Sequence, residues 1–537
     1  MTIASRSVKY ISVTVLLVFI LAVYSEEIEA KRKKAKGGTI IWASIADASY
    51  LNPILATDSA SGDINGFVYN GLVKYDKNLE LEGDLAESWE VSEDRLKIIF
   101  HLRKDVYWHD GEKFDSEDVL YTYNVLKATS TRTPYSSKFD KVKKVSVPDK
   151  HTFIVEYSEP FSPALPSWGM GILPEHIFAG TDINTNPHNR EPIGTGPYRF
   201  ISWNTDDRII LESNEKYFEG EPGISRIVYK IIPDISVQFM ELNRETIDWM
   251  SPTPDQWIKE TSKESFLEKY NRYKYPSFQY AYMGYNLKNE LFSDVRVRQA
   301  IDYAVNKQEI IDAVLLGLGS TASGPYPPVS WAYNADIKDR GYFPDKARDL
   351  LKAAGWKMNT ATGILEKDGK PFSFTLMTNQ GNSVRKLTCE VIQNQLKKIG
   401  IDVKIRIQEW SSFIHQYIDK RQFDAIIIGW SLSVDPDNYS IWHSSQQKEG
   451  QYNFTGYSNP EVDRLLLEGR REFDLKKRKE IYKRIHTILH EEQPYLFLYF
   501  ADTKQVLHAR FTNITLEKAG ITHNFIEWKV PDKLRRY

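Results

Sequence analysis

The stretch from Phe372 to Asp435 restricts the fold more than any other part of the chain. Phe372, Phe374 and Leu376 alternate with Ser373 and Thr375, the two-residue period of a strand. Val384, Leu387, Val391, Ile392, Leu396 and Ile399 then fall on one broad helical arc, and Gly400 is placed to end that helix. Ile401, Val403, Ile405 and Ile407 alternate with Asp402, Lys404, Arg406 and Gln408, which predicts a second strand. A short helix over 411–420 follows, and the continuous run Ala425-Ile-Ile-Ile428 predicts a strand covered on both faces. Strand–helix–strand–helix–strand implies parallel strands joined by right-handed crossovers. In an open parallel sheet, ligands bind beyond the carboxyl ends of the strands. Asn379-Gln380, Glu409-Trp410 and Gly429-Trp430-Ser431 therefore meet at one edge, and two indoles leave the same rim. Each Trp can instead pack on the adjacent helix. The Gly before Trp430 and the polar segment after it suggest a loop there.

Elsewhere, Thr39 to Ile45 reads as an opening strand and Asp63 to Leu72 as a helix entered through Ser59-Ala60-Ser61-Gly62. Leu96 to Leu102, Phe153 to Tyr157, 198–203, 208–212 and Arg226 to Ile232 read as strands. Asp115 can cap a helix over 116–127, with Asp118 as its capping-box partner. No internal repeat interrupts this order.

The amino terminus reads as an export signal. Arg6 and Lys9 precede an apolar run of 13 residues, Ile11 to Val23, shorter than the roughly 20 a spanning helix needs. Cleavage is expected after Ser25, with Ala30 as a second option. No Cys lies near that point, so an amino-terminal lipid anchor is not expected, and a periplasmic location fits. Lys31-Arg-Lys-Lys34 suits a solvated leader; an uncleaved anchor, or contact with anionic lipid, is the alternative. With 70 basic against 72 acidic residues, the net charge of −2 argues against a nucleic-acid binder. Cys389 is the single cysteine, which rules out an intramolecular disulfide and any multi-cysteine metal site.

Catalytic signatures are few. There is no phosphate loop, no Gly-x-Ser-x-Gly and no His-Glu-x-x-His. Gly194-Thr-Gly-Pro197 is glycine-rich, but Pro197 removes an N–H. His486 and His490 share a helix face without an evident third ligand. Asp435 and Asp437 are close carboxylates, and Asp-Pro-Asp-Asn is also a turn-forming sequence. Cys389 sits at the edge of the apolar arc, which favours a structural role.

A set of short motifs adds to this. They are Leu51-Asn-Pro53 with Ser59-Ala-Ser61-Gly62, Leu85-Ala-Glu-Ser-Trp89, Phe100-His-Leu-Arg103, Gly194-Thr-Gly-Pro-Tyr198, Asp294-Val-Arg-Val-Arg-Gln-Ala300 with Asn306-Lys307, and Gly429-Trp430 with Asp435-Pro-Asp437. In this order they resemble the family 5 solute-binding proteins of ABC importers, which include dipeptide- and oligopeptide-binding proteins. The resemblance implies an α/β, two-lobed periplasmic binding protein fold hinged by two strand crossings. Residues 1–25 would be signal peptide and 26–36 a basic leader. Lobe I would span 37–285 and 500–537, with 76–194 as an accessory subdomain, and lobe II would span 286–499. The crossings are expected within Tyr280 to Asn286 and Leu496 to Ala501.

Carried over residue by residue, the resemblance makes Trp410 and Trp430 ligand-contacting and, from the accessory subdomain, Tyr135; Ser431 at the strand end, Ser433, Asp435 and Ser61 are further expected contacts. Trp331 lies in a segment of unclear role. Peptide-binding members hold the ligand's amino group with an acid three positions after the second Trp. Here that position is Ser433, and Asp435 and Asp437 are the nearest acids. A basic residue of oligopeptide binders is replaced by Ile427. The expected function is capture of a peptide or peptide-like solute for a membrane permease, by a monomer with no cofactor and no bound metal. Oligosaccharide or nickel-chelate cargo is the alternative within transport, and a secreted hydrolase is the alternative of another class.

Overall fold

The protein is described here by a computed structural model, whose described residues run from 37 to 536. The expected signal peptide, its cleavage site and the basic leader lie outside them. No helix among the described residues is long and apolar enough to cross a membrane.

The long α/β stretch folds as its periodicity demands. Ser373–Asn379 runs parallel to Asp402–Gln408 on one side and to Ala425–Ser431 on the other. The helix Ser383–Lys397 connects the first two strands. Its buried stripe is turned slightly from the expected arc. Leu387 is 46% exposed, while Thr388 and Cys389 are fully buried, because the sheet lies under the small residues. The run Ala425 to Ile428 is sandwiched between two cores: Ala425 and Ile427 point into one, Ile426 and Ile428 into the other.

These strands belong to a six-stranded sheet ordered Gly319–Thr321, Tyr495–Ala501, Gln279–Tyr285, Ala425–Ser431, Ser373–Asn379, Asp402–Gln408. A second, seven-stranded sheet is built on the parallel pair Thr39–Ser44 and Arg226–Ile231 and also contains Tyr270–Tyr275 and Thr503–His508. The chain passes between the sheets at 276–278 and again at Asp502. The crossings lie side by side, since Tyr275 pairs with Thr503 and Ala281 with Tyr499. The lobe boundary therefore falls before Gln279 rather than at 285, and after Ala501 rather than at 500. Both strands expected to make the crossings belong wholly to the second lobe's sheet, where each is hydrogen-bonded along its length.

The accessory region is a four-stranded antiparallel sheet, Ala86–Val91, Lys97–Leu102, Thr152–Tyr157 and Val142–Asp149, covered by the helix Ser116–Lys127. Asp115 and Asp118 form the expected capping box. The apolar core of this region is continuous with that of lobe I. The first helix begins earlier than expected, at Ser59–Val68, because Asp58 caps it by accepting from Ser61 N. Gly194 and Gly196 pack on the end of that helix: a Cβ on Gly194 would stand 1.8 Å from the Val68 carbonyl, so the glycine-rich segment serves packing.

Asp63, on the same helix, accepts a hydrogen bond from the Tyr229 hydroxyl at 3.2 Å. Burial pushes its carboxyl up to about 7, against the opposing effect of that bond. The folded state thus holds a proton that the unfolded chain releases, and stability is lost as pH rises from the ordinary carboxylate range through about 7. Asp63→Asn should remove that loss. Its gain in melting temperature over the parent should be larger at pH 8 than at pH 4.5, and equal gains would contradict the assignment.

Candidate functional site

The three strand ends expected to converge do so. Asn379, Gln408 and Ser431 end adjacent strands of the lobe II sheet, and Gln380 N donates to Gln408 O at 2.7 Å. Glu409 caps the following turn, accepting from Ser411 N and Ser412 N at 2.7 and 2.8 Å, which fixes Trp410 at the first helical position. Trp410 is half-buried, and its Nε1 is buried without an acceptor. Gly429 lets the strand pass under two neighbours: a Cβ there would stand 3.0 Å from the Tyr280 carbonyl and 3.6 Å from Arg385 Nη2. Trp430 is half-buried in an aromatic group. It lies nearly parallel to Tyr282 and Phe454, at centroid distances of 6.4 and 5.8 Å, and Tyr452 meets it edge-on at 5.1 Å. Its Nε1 donates to Tyr495 Oη at 3.4 Å. Ser431 is exposed at the end of its strand.

Lobe I faces this edge. Tyr452 donates to Tyr135 Oη at 2.9 Å, and Tyr135 donates to the Ala56 carbonyl at 2.5 Å. Trp430 is therefore one ring removed from the other lobe. Further along the seam, Ser162 N donates to Arg470 O at 2.7 Å, and Arg470 Nη1 donates to Ser137 O at 3.2 Å. Arg471 pairs with Glu159 at 2.6 Å, and His415 lies edge-on to Tyr50 at 5.9 Å. The two lobes are thus in contact around the cleft. Tyr452 carries no motif, and only the fold brings it to Tyr135.

Other expected site residues are already engaged. Ser61 Oγ donates to Asp58 Oδ2 at 2.7 Å and accepts from Ser49 N and Tyr50 N at 2.8 and 3.1 Å, so its hydroxyl is saturated and fully buried. Ser433 Oγ donates to the Asp435 carbonyl at 2.7 Å, and Asp437 N donates to Asp435 Oδ1 at 3.0 Å, which is the turn that Asp-Pro-Asp favours. Asp435 is gripped at both oxygens by Arg478, at 2.7 and 2.9 Å, and Asp437 by Arg470, at 2.8 to 3.0 Å. Each carboxylate is thus already neutralised by a guanidinium of the protein. The arginines lie 43 and 33 residues downstream, beyond any local reading. Trp331 lies against Arg478, 5.2 Å from its guanidinium, in the same packed group. Cys389 is buried and its thiol is pushed up to about 12 by that burial, in keeping with a structural role. Among the described residues no group of three or more His, Cys, Asp or Glu is arranged to hold a metal ion.

Two α/β lobes joined by paired strands, with an aromatic-walled cleft between them, define a two-lobed ligand-binding protein. Residues 80–452 match the family model for bacterial extracellular solute-binding proteins, family 5. The chain is 36% identical to the oligopeptide-binding protein AppA of Bacillus subtilis over 92% of each chain, and 28% identical to the dipeptide-binding protein of Escherichia coli over 90% of this chain and 93% of that one. The solved structure of AppA from Bacillus subtilis in complex with a nonapeptide superposes with a TM-score of 0.88 at 34% identity, covering 92% of this chain and 99% of that one. NikZ from Campylobacter jejuni in complex with Ni(L-His) superposes at 0.83 with 30% identity, covering 91% and 99%. The chain belongs to family 5 of the bacterial extracellular solute-binding proteins.

Removing a carboxylate that awaits a ligand costs little stability, whereas removing one that neutralises a buried guanidinium costs about 3–5 kcal/mol. Asp435→Ala should accordingly lower the unfolding free energy of the ligand-free protein by about 3 kcal/mol or more, since Arg478 would stay buried without its partner. Denaturant titration measures this, and a loss well under about 1 kcal/mol would return Asp435 to the ligand.

Proposed function

We propose that this chain is the substrate-binding component of an ABC importer and that it captures peptides between its lobes for a permease in the membrane. The likeness to an oligopeptide-binding protein over 92% of both chains carries this reading. The geometry agrees with it. Half-buried indoles at the sheet edge offer flat apolar walls to side chains of varied shape. The lobes join through adjacent strands, so one rotation opens the whole cleft. Ligand contacts to both lobes favour the closed state by their differential affinity. The protein acts in the periplasm as a monomer and releases its cargo unaltered.

A second reading has one observation in its favour, the likeness to NikZ with its nickel–histidine ligand. A chelate brings its own metal ligands, and the same aromatic walls suit it. A thermal-shift panel of peptides, oligosaccharides and nickel–histidine separates these readings. A peptide at 100 times its Kd should stabilise the fold by about 2.7 kcal/mol, and a response to nickel–histidine alone would replace the peptide assignment. Trp430→Ala should weaken peptide binding about 30-fold, the factor for loss of about 2 kcal/mol at a buried aromatic contact. Calorimetric titration checks this, and unchanged affinity would remove Trp430 from the site.

A further inference from the structure

The helix Pro460–Arg471 of lobe II ends against the other lobe. The last carbonyls of an α-helix have no partner within it and must be met from outside. The Glu468 carbonyl accepts from Glu472 N, still in lobe II, but the next two are met by lobe I. Ser162 Oγ donates to Gly469 O at 3.2 Å, and Ser162 N donates to Arg470 O at 2.7 Å. Arg470 completes the contact with a side chain that is 3% exposed. Its Nε and Nη2 are held by Asp437 at 2.8 to 3.0 Å, and its guanidinium lies 3.7 Å over the centre of the Tyr439 ring. The remaining edge of the fork, Nη1, donates to the Ser137 carbonyl of lobe I at 3.2 Å. Asp435 acts on the same turn, for the Arg478 it holds donates through Nε to Gly469 O at 2.9 Å. Each acid of Asp435-Pro-Asp437 therefore fixes, through one arginine, a helix end of lobe II that lobe I caps. Arg471 and Phe473 extend the contact outwards, to Glu159 at 2.6 Å and to the Arg95 guanidinium at 4.1 Å. The rings around Trp430 take no part in it. Opening of the cleft exchanges these bonds for bonds to water, at a cost set by how well the fork and the carbonyls are held in place beforehand.

We infer that Asp437 is a positioning residue for closure: by holding Arg470 it presents the end of this helix to lobe I, and the contact that Ser137 and Ser162 complete sets the share of ligand-free protein that is closed. The inference rests on the proposed reading that ligand binds between closing lobes. A ligand that needs the closed form loses affinity in proportion as that form is depopulated, whatever the ligand's chemistry. Two variants test this. Arg470→Lys keeps a cation beside Asp437 but replaces the fork by a single ammonium, which cannot hold the acid bidentately and reach Ser137 O as well. Asp437→Leu combined with Arg470→Met removes the pair as a unit, so that neither charge is left buried alone. Small-angle scattering of the full ligand-free protein should give both a larger radius of gyration than the parent, and a saturating nonapeptide should return both to the parent's peptide-bound radius. Calorimetry with two nonapeptides of unrelated sequence should show both peptides weakened by one common factor, about 10-fold. Arg471→Met lies on the exposed side, leaves the core intact and should weaken both peptides equally by a smaller factor, about 3-fold. Variants that keep the parent's ligand-free radius and both affinities overturn the inference. A loss confined to one peptide also overturns it, since Arg470 would then be a contact of that ligand. If neither peptide binds the parent, the peptide reading falls; a larger ligand-free radius of the variants then still upholds the closure contact, and an unchanged radius overturns it too.

Discussion

Among the described residues the chain changes lobe only at 276–278 and at Asp502, and everything the cleft does depends on that constraint. Each crossing is a break of one to three residues between strands hydrogen-bonded into different sheets. The strands on either side are paired with each other, Tyr270–Tyr275 with Thr503–His508 and Gln279–Tyr285 with Tyr495–Ala501. A rotation has to be absorbed where the ladder is interrupted, since elsewhere it would break buried backbone hydrogen bonds. The Lys274–Asp502 pair, at 3.5 Å, and the Leu432 N–Phe278 O bond, at 2.8 Å, sit at this break. Lobe II stays rigid during such a motion because its sheet is buried on both faces.

Contacts on the far side of the cleft are of another kind. Tyr452 to Tyr135, Ser162 to Arg470 and Arg471 to Glu159 are single hydrogen bonds or a half-exposed ion pair. Each contributes on the order of 1 kcal/mol or less. Together they hold a closed form without locking it, which is what a receptor that must take up and surrender its cargo requires. The surface where these contacts lie is also where Trp430 reaches the seam through Tyr452, so the aromatic group proposed to pack the ligand also takes part in the lobe contact.

Periodicity made the lobe II sheet legible, because a two-residue alternation and a 3.6-residue arc are imposed by backbone geometry and need no distant partner. Capping was legible for the same reason: Asp115 and Asp118 act within one turn. The start of the helix at Ser59 was misplaced because Ser-Ala-Ser-Gly reads as a turn until Asp58 is seen to cap it. Ser61, Asp435 and Asp437 have residue types suited to ligand contact, yet their partners are Asp58, Arg478 and Arg470, and two of those return from remote helices. Burial of a guanidinium, and what answers it, is decided by tertiary packing, so these ion pairs are not visible in the order of residues.

The polarity of the cleft edge follows from which charges remain after such pairing. Two acids that stand in the sequence beside Trp430 are paired with Arg478 and Arg470, so the acidic motif leaves no net charge of its own at the edge of lobe II. A ligand group held by one lobe alone adds equally to the affinity of open and closed forms, so it retains the ligand without driving closure. Contacts that drive closure have to bridge, and the groups that span the seam here are the rings between Trp430 and Tyr135. A receptor whose closing contacts are aromatic rings can tolerate variety in the side chains those rings enclose.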